Sequence, residues 1–193
     1  LVRTPDTRER QPNMCGIAGE IRFDGAFADT SAVARMTETL APRGPDGSGI
    51  VAQGRVAFGH RRLKIIDLSE KAGQPMVDPA LGLTIVFNGC IYNYPELREE
   101  LIAAGYDFFS HGDTEVVLKA FHKWGEACVE RFHGMFAFAI HERETGAVTL
   151  ARDRFGIKPL YYADTGKALR FASSLPALLK ADDVDTAIDL EAL

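Results

Sequence analysis

The stretch GMFAFAIHE, residues 134–142, determines how the layers of this protein must be arranged. Its even positions carry Phe136, Phe138 and Ile140, whereas its odd positions carry Met135 and two alanines. Because successive side chains of a strand point to opposite faces, this strand is apolar on both sides. We therefore predict an inner sheet that is covered by a layer on each face.

Apolar segments on either side of this strand predict a layered α+β fold. Further strands are predicted at residues 16–23, 55–59, 62–66, 83–87, 147–152, 159–163 and 168–172. Helices are predicted after a cap at Asp29 or Thr30, from Pro95 to about Ala104, from Asp113 to Gly125, and from Ser173 or Ser174 to Leu179. Helices bracket strand-rich stretches in this order, which favours packed layers over an alternating βαβ arrangement.

The composition is that of one ordinary globular domain. The chain has 193 residues, 46% of them hydrophobic and 25% charged, with a net charge of −5. The acidic balance argues against a nucleic-acid partner, and no apolar run approaches the roughly 18–20 residues that span a membrane. Three cysteines, an odd number and far apart, indicate reduced thiols and a cytoplasmic location. Neither they nor the five histidines have the spacing of a metal site.

The two ends differ from the body of the chain. Residues 1–14 (LVRTPDTRERQPNM) are polar and lack the apolar core of a signal peptide. Of a propeptide, an added tail and a start codon placed too early, we favour the last, so that the active form would lack this extension. The domain proper is expected at residues 15–180, and the acidic residues 181–193 are interpreted as a linker.

Cys15 stands where the polar extension ends and the apolar sequence begins. Removal of Met14 would give Cys15 a free α-amine, a group whose ordinary pKa is about 7.7–8.0. Such an amine can act as base for the thiol beside it, so that nucleophile and base share one residue. The alternative from the local sequence is a small buried cysteine on a first strand.

Three further positions carry site chemistry, each with a structural alternative. Asn88-Gly89 follows the apolar strand LTIVF, and its amide and N–H could form a two-donor oxyanion hole or, instead, turn a hairpin. Arg62 lies in an apolar strand and should have a carboxylate partner, either structural or on a ligand. Asp113 is predicted as the N-cap of a helix, and its second oxygen could still meet a ligand ammonium.

A series of motifs follows in a specific order along the chain. The motifs are MCGIAG (14–19), RGPDGSG (43–49), HRRLKIID (60–67), QPM (74–76), NGCIYNY (88–94), GDTEVVL (112–118), GMFAFAI (134–140), RDRFGIKPLYY (152–162) and FASSLPALL (171–179). Together they resemble the class II glutamine amidotransferases and, within these, the glutamine-hydrolysing asparagine synthetases. The resemblance extends from Met14 to about Leu179.

The resemblance implies a fold and a catalytic centre. The fold would be a four-layer α/β/β/α sandwich of two antiparallel sheets, as in N-terminal-nucleophile (Ntn) hydrolases. Cys15 would be the nucleophile, with its own α-amine as general base. Asn88 and Gly89 would hold the oxyanion that forms when the thiol attacks the substrate amide.

The resemblance also implies a binding site for free glutamine. Arg62 would bind its α-carboxylate and Asp113 its α-ammonium, while the backbone near Ile66 and at Cys90 would line the substrate. The glycine-rich loop 43–49 would close over it. In this family a glutamate commonly follows the Asn-Gly pair and helps to bind the ammonium. Since Cys90 stands there instead, we predict that Asp113 bears more of this contact and that Cys90 is not a second nucleophile.

The function implied is hydrolysis of L-glutamine to glutamate and ammonia through a Cys15 thioester. The ammonia would pass to an ATP-dependent synthetase domain of the same chain, and ATP and Mg are expected only there, with no cofactor or metal in this domain.

NGCIYNYPELR (88–98) resembles the N-acetylglutaminylglutamine amidotransferases as a subgroup. The sequence leaves open whether the protein forms a homodimer. The block RDRFGIKPLYY (152–162) is assigned a scaffolding or domain-contact role.

Two alternatives to a glutaminase remain at this point. The domain could bind glutamine without turning it over, or it could be a self-processing Ntn hydrolase of another amide. With residues 1–14 attached, the chain is expected to be inactive, because the nitrogen of an internal cysteine is an amide and not a base.

Overall fold

The computed structural model describes residues 14–185. Most of the predicted extension at 1–14 and the end of the predicted linker, residues 186–193, lie outside the described residues. Within the described range, nine strands form two antiparallel sheets and four α-helices accompany them. None of these helices is long and apolar enough to cross a membrane.

The first sheet has five strands in the order β2-β3-β1-β9-β8, and every neighbouring pair is antiparallel. Its strands are β1 (Gly16–Arg22), β2 (Gly47–Gln53), β3 (Val56–Arg62), β8 (Tyr161–Asp164) and β9 (Ala168–Ala172). The second sheet has four antiparallel strands in the order β4-β5-β6-β7. Its strands are β4 (Met76–Asp78), β5 (Leu83–Ile91), β6 (Gly134–Glu142) and β7 (Val148–Arg152).

The helices begin close to where the sequence predicts them. They are α1 (Thr30–Thr39), α2 (Tyr94–Ala103), α3 (Asp113–Trp124) and α4 (Leu175–Leu178). Asp29 caps α1, its carboxylate accepting the N–H groups of Ser31 and Ala32, as predicted. For α3 the prediction is wrong by one residue, because Gly112 is the N-cap and Asp113 is the first helical residue.

Three apolar clusters define four layers, and β6 explains their order. Phe136, Phe138 and Ile140 pack against α2 and α3. Ala137 and Ala139, on the opposite face, pack against residues of the first sheet. A third cluster joins the outer face of the first sheet to α1 and α4. The layers therefore run α/β/β/α, which confirms the doubly covered sheet predicted from residues 134–142.

Two loop predictions need correction. No strand forms over 62–66, because β3 ends at Arg62 and the chain turns so that the Arg62 guanidinium bonds the carbonyls of Asp67 and Ser69. The predicted loop 43–49 also ends early, since β2 begins at Gly47 and pairs with β3. A side chain at Gly49 would collide with the carbonyl of Gln74, so glycine there serves strand packing as well as any loop motion.

Candidate active site

A cavity of about 410 Å³ opens where β3 and β5, one strand from each sheet, come to their ends. The sequence-predicted site residues all line it: Cys15, Arg62, Ile66, Asn88, Gly89, Cys90 and Asp113. Residues far apart in sequence are brought together here because the two sheets are packed face to face. The structure thus places all seven residues at one cavity.

Cys15 lies immediately before β1 and is held by the chain that follows β3. Its Sγ accepts a hydrogen bond from the Leu63 N–H at 3.3 Å and lies 3.6 Å from the Leu63 carbonyl. Burial raises the pKa of the thiol, while the Leu63 hydrogen bond and the charge of Arg62 act in the opposite direction. The hydrogen bond with Leu63 thus fixes the orientation of the side chain. Nearby positive charge must offset the effect of burial for the thiol to ionise to a thiolate.

The nitrogen of Cys15 is an amide in this chain, because Met14 precedes it. Met14 is itself anchored, its N–H donating to the Arg43 carbonyl at 3.0 Å. Arg43 also reaches the Cys15 carbonyl through Nε at 3.4 Å. An amide nitrogen has no free lone pair for a proton, so the base predicted for the thiol is absent while Met14 remains attached.

Arg62 has different partners from those predicted. No carboxylate within the described range pairs with it. Its two terminal nitrogens donate to the carbonyls of Ser69 at 2.9 Å and Asp67 at 2.6 Å. These bonds hold the guanidinium in place but leave its positive charge unmatched. The unmatched charge suits the alternative in which an anion arrives with a ligand.

Asn88 and Gly89 lie within β5, opposite Ala137 and Phe136 of β6, so the hairpin alternative is wrong. The Asn88 side chain is buried, and its Nδ2 has no hydrogen-bond partner among the described residues. Buried donors without partners are uncommon in folded proteins. Asn88 therefore offers a free donor beside the cavity.

Gly89 offers a second donor through its backbone. The N–H groups of Phe87 and Ile91 leave β5 on the side away from β6, to Gln74 Oε1 at 2.6 Å and Asp113 Oδ2 at 3.0 Å. Alternate N–H groups of a strand point the same way, so the Gly89 N–H lies between them on that edge. A Cβ at Gly89 would come within 2.5 Å of the Met135 carbonyl oxygen, so only glycine fits.

Asp113 begins α3 and points its carboxylate at the end of β5. One oxygen, Oδ2, accepts the Ile91 N–H, and the residue also lines the cavity. Burial raises the pKa of this carboxyl to about 6, although hydrogen bonds from the backbone act in the opposite direction. The helix N-terminus favours its charged form, and burial opposes it.

Cys90 and Ile66 occupy the rim of the cavity. Burial raises the pKa of the Cys90 thiol, and the nearby Asp113 carboxylate raises it further. Cys90 is consequently a neutral thiol near pH 7 and adds no charge to the site. Ile66 is 36% exposed and contributes an apolar wall on the segment that follows β3.

Two residues of the cavity are missed by reasoning from the sequence. Lys158 lines it and is only 6% exposed, although the 152–162 block is assigned to scaffolding. Gln74 joins two walls, because Oε1 accepts the Phe87 N–H and Nε2 donates to Thr114 Oγ1 at 3.3 Å. Lys158 lies between Ile157 and Pro159 in a loop that begins with Gly156. Such a loop has no hydrophobic periodicity from which the position of the lysine side chain could be predicted.

The arrangement suits a small zwitterion with an electrophilic side chain. Arg62 and Asp113 present opposite charges to the cavity, which is also lined by the thiol of Cys15 and by Asn88 and Gly89. Asp67 also lines the cavity, but its two oxygens already accept the N–H groups of Ser69 and His111. Within residues 14–185, no group of three or more His, Cys, Asp or Glu side chains could hold a metal ion.

Comparison with known proteins gives a family for this sequence pattern. A family model described as a glutamine amidotransferase domain matches residues 14–193. Asparagine synthetase [glutamine-hydrolyzing] 3 of Bacillus subtilis (strain 168) is 39% identical over 179 residues, 91% of this chain and 29% of the relative. Putative asparagine synthetase [glutamine-hydrolyzing] 2 of Methanocaldococcus jannaschii is 38% identical over 89% of this chain and 36% of the relative. The chain therefore spans about a third of the length of these curated relatives.

Solved structures show the same fold at low sequence identity. A glutamine phosphoribosylpyrophosphate amidotransferase from B. subtilis, complexed with ADP and GMP, has a TM-score of 0.74 and 22% identity, covering 88% of this chain and 44% of that chain. An allosteric regulatory enzyme of purine biosynthesis has a TM-score of 0.69. These likenesses concern the fold, and they confirm the predicted Ntn-hydrolase-like sandwich.

Proposed function

Since the chain belongs to the glutamine amidotransferase domain family, we propose that it hydrolyses the side-chain amide of L-glutamine to glutamate and ammonia. One observation carries this proposal above the others. The thiol of Cys15 shares a cavity with an unpartnered Asn88 amide, a Gly89 N–H on the free strand edge, and the opposite charges of Arg62 and Asp113. A binding domain without chemistry has no need of a nucleophile beside two free donors.

Recognition of glutamine follows from the two charges. The α-carboxylate would pair with Arg62, whose guanidinium lacks an anionic partner among the described residues, and the α-ammonium with the Asp113 carboxylate. Holding both ends of the zwitterion directs the side-chain amide toward Cys15. Such positioning replaces a bimolecular encounter with an intramolecular attack.

The chemistry would proceed through a thioester. The Cys15 thiol gives its proton to the α-amine and Sγ bonds to the amide carbon, so that the carbonyl oxygen becomes an oxyanion held by Asn88 Nδ2 and the Gly89 N–H. Collapse breaks the C–N bond, and the ammonium of Cys15 returns the proton as ammonia leaves. Water then attacks the thioester, the amine again taking a proton, and glutamate and the free thiol result. Loss of one oxyanion donor typically costs about 10²–10³ in rate.

The amine that this scheme needs exists only after Met14 is removed. We therefore expect a chain that retains Met14 and the residues before it to bind glutamine without turning it over. This expectation separates the proposed enzyme from the alternative of a domain that only binds glutamine, because trimming should restore turnover in the first case alone.

The fate of the ammonia is proposed from the relatives. The names of these relatives combine glutamine hydrolysis with asparagine synthesis, and each relative is about three times as long as this chain. We propose that this domain supplies ammonia to a synthetase domain, which would be the part that uses ATP and Mg. Membership of the N-acetylglutaminylglutamine amidotransferase subgroup, which NGCIYNYPELR (88–98) resembles, stays a prediction.

The test is glutamate release measured on protein whose intact mass shows whether it begins at Cys15. The trimmed protein should release glutamate and be labelled at Cys15 by a glutamine-analogue alkylator. Cys15→Ala should abolish both, whereas the matched control Cys128→Ala, in the core beneath α3, should retain both. Undiminished glutamate release by Cys15→Ala, or by protein that retains residues 1–14, would contradict the mechanism.

A further inference from the structure

Lys158 is a buried cation without a matching anion. Lys158 is 6% exposed, yet among the described residues its Nζ forms no ion pair and donates a hydrogen bond to the thioether of Met14 at 3.0 Å. The nearby Asp153 carboxylate acts on it through its charge, but both oxygens of Asp153 already accept backbone N–H groups. The other buried lysine, Lys119, has two carboxylates, Glu115 at 2.7 Å and Asp78 at 3.2 Å. Burying an unpaired charge is costly, and burial accordingly lowers the pKa of the Lys158 ammonium.

The backbone around Lys158 is fixed so that its side chain enters the cavity. The Lys158 N–H donates to Asp153 Oδ2 at 3.0 Å, and its carbonyl accepts Arg152 Nε at 2.8 Å. Asp153 also accepts the Phe136 N–H of β6 at 3.2 Å, which ties the loop to the inner sheet. The position of the ammonium is therefore set by β6 and not by a mobile surface loop.

Among the residues that line the cavity, Lys158 is the cation near Cys15 that bound glutamine would not neutralise. Arg43, Arg62, Asp113 and Lys158 act on the thiol through their charges, and Cys90 lines the same cavity. If the proposed function holds, bound glutamine matches Arg62 with its carboxylate and Asp113 with its ammonium. Arg43 points to the Cys15 carbonyl, and Lys158 stays unmatched.

We propose that Lys158 is a positioning residue of this active site, whose ammonium stabilises the thiolate of Cys15 in preparation for attack. Burial alone makes that thiolate unfavourable, and a nearby cation offsets the penalty.

The test is the pH dependence of Cys15 alkylation by iodoacetamide on the full chain, followed on separate peptides by mass spectrometry so that Cys15, Cys90 and Cys128 are distinguished. Lys158→Met keeps the aliphatic stem and removes the charge, whereas Lys158→Arg keeps the charge. Lys64→Met is the matched control, since Lys64 pairs with Glu70 outside the cavity. Lys158→Met should move the midpoint for Cys15 up by about 0.5–1 pH unit, which slows alkylation below it about three- to tenfold.

Lys158→Arg and Lys64→Met should keep the midpoint near that of the parent chain. Equal midpoints for the parent and Lys158→Met, or equal displacement by Met and Arg, would overturn the proposal, because a merely structural lysine gives one of these results. Lys158→Gln replaces Lys158→Met if the latter does not fold. This readout needs no turnover, so it separates failure of this inference from failure of the proposed function, which glutamate release by Cys15→Ala tests.

Discussion

The carboxyl group of Asp113 makes the proposed binding of glutamine dependent on pH. Its carboxyl is buried at the start of α3, and burial raises its pKa to about 6. Below that pH the side chain becomes neutral and loses its attraction for the α-ammonium of glutamine. We therefore expect KM for glutamine to rise as the pH drops through about 6, separately from the loss of kcat caused by protonation of the Cys15 α-amine, whose ordinary pKa is about 7.7–8.0.

Asp113→Asn isolates this effect. Loss of a charge-assisted hydrogen bond of about 1.5–3 kcal/mol predicts a KM about ten- to a hundredfold higher at pH 7.5. The variant should also lack the rise in KM at acid pH that is assigned to Asp113. Steady-state kinetics between pH 5 and 8 on the trimmed protein measures both. An identical rise in KM at acid pH in Asp113→Asn would show that another group causes it.

Single residues also show what sequence reasoning can and cannot reach. The residues predicted through ordered motifs all line one cavity, because motif order reflects the order of strands that build its walls. The structural carboxylate that was one alternative for Arg62 is not found among the described residues, since backbone carbonyls of Asp67 and Ser69 accept its hydrogen bonds and every residue type carries those. Asn-Gly is a strong turn signal locally, but pairing with β6 outweighs it.

Packing of α1 on the first sheet depends on a close approach at Gly59 of β3. A Cβ at Gly59 would collide with Thr37 Oγ1, and Val33 Cγ1 would lie 3.1 Å away. Thr37 cannot easily turn aside, because its hydroxyl donates to the Val33 carbonyl at 2.7 Å. The helix must therefore shift to accommodate any side chain at this position.

Gly59→Ala is expected to lower the free energy of unfolding by about 1–3 kcal/mol, the usual range for overpacking. Gly47→Ala is the matched control, since its added Cβ would meet Arg62 Cβ at an ordinary 3.6 Å, and it should cost less. Urea unfolding followed by circular dichroism gives both values. Adding Thr37→Ala to Gly59→Ala should recover part of the loss, and equal costs for the two glycine variants would refute this account of the packing.

Elements were predictable where one residue pattern sufficed. The alternation in residues 134–142 identified a strand covered on both faces, and the clusters on its two sides agree with that. The strand predicted at 62–66 failed because apolar residues there line the cavity rather than a sheet. A pattern of apolar residues does not show whether those side chains pack in the hydrophobic core or line a binding cavity.

Assembly of the site depends on the whole sandwich. Cys15 precedes β1 and Arg62 ends β3 in the first sheet, whereas Asn88 and Gly89 lie in β5 of the second. The cavity therefore exists only when the two sheets are packed together.

His60 makes the sandwich sensitive to acid. It lies in β3, fully buried, and burial lowers its pKa to about 3. In the unfolded chain this imidazole binds a proton with a pKa of about 6.5. In the folded chain the imidazole stays neutral until the pH falls to about 3. Protonation thus favours unfolding, and stability should fall progressively between about pH 6.5 and 3. The raised pKa of Asp113 acts in the opposite direction between about pH 4 and 6, which makes a comparison of variants necessary.

His60→Gln removes this titration and keeps a neutral polar side chain. Its free energy of unfolding should depend less steeply on pH than that of the parent, by up to about 1.4 kcal/mol per pH unit below 6.5. Urea unfolding from pH 4.5 to 7.5 measures the two slopes, and His133→Gln, at an exposed histidine, is the control. The comparison rests on slopes, so a constant loss of stability from the substitution does not obscure it. Parallel curves for the parent and His60→Gln would mean that acid sensitivity arises elsewhere in the sandwich.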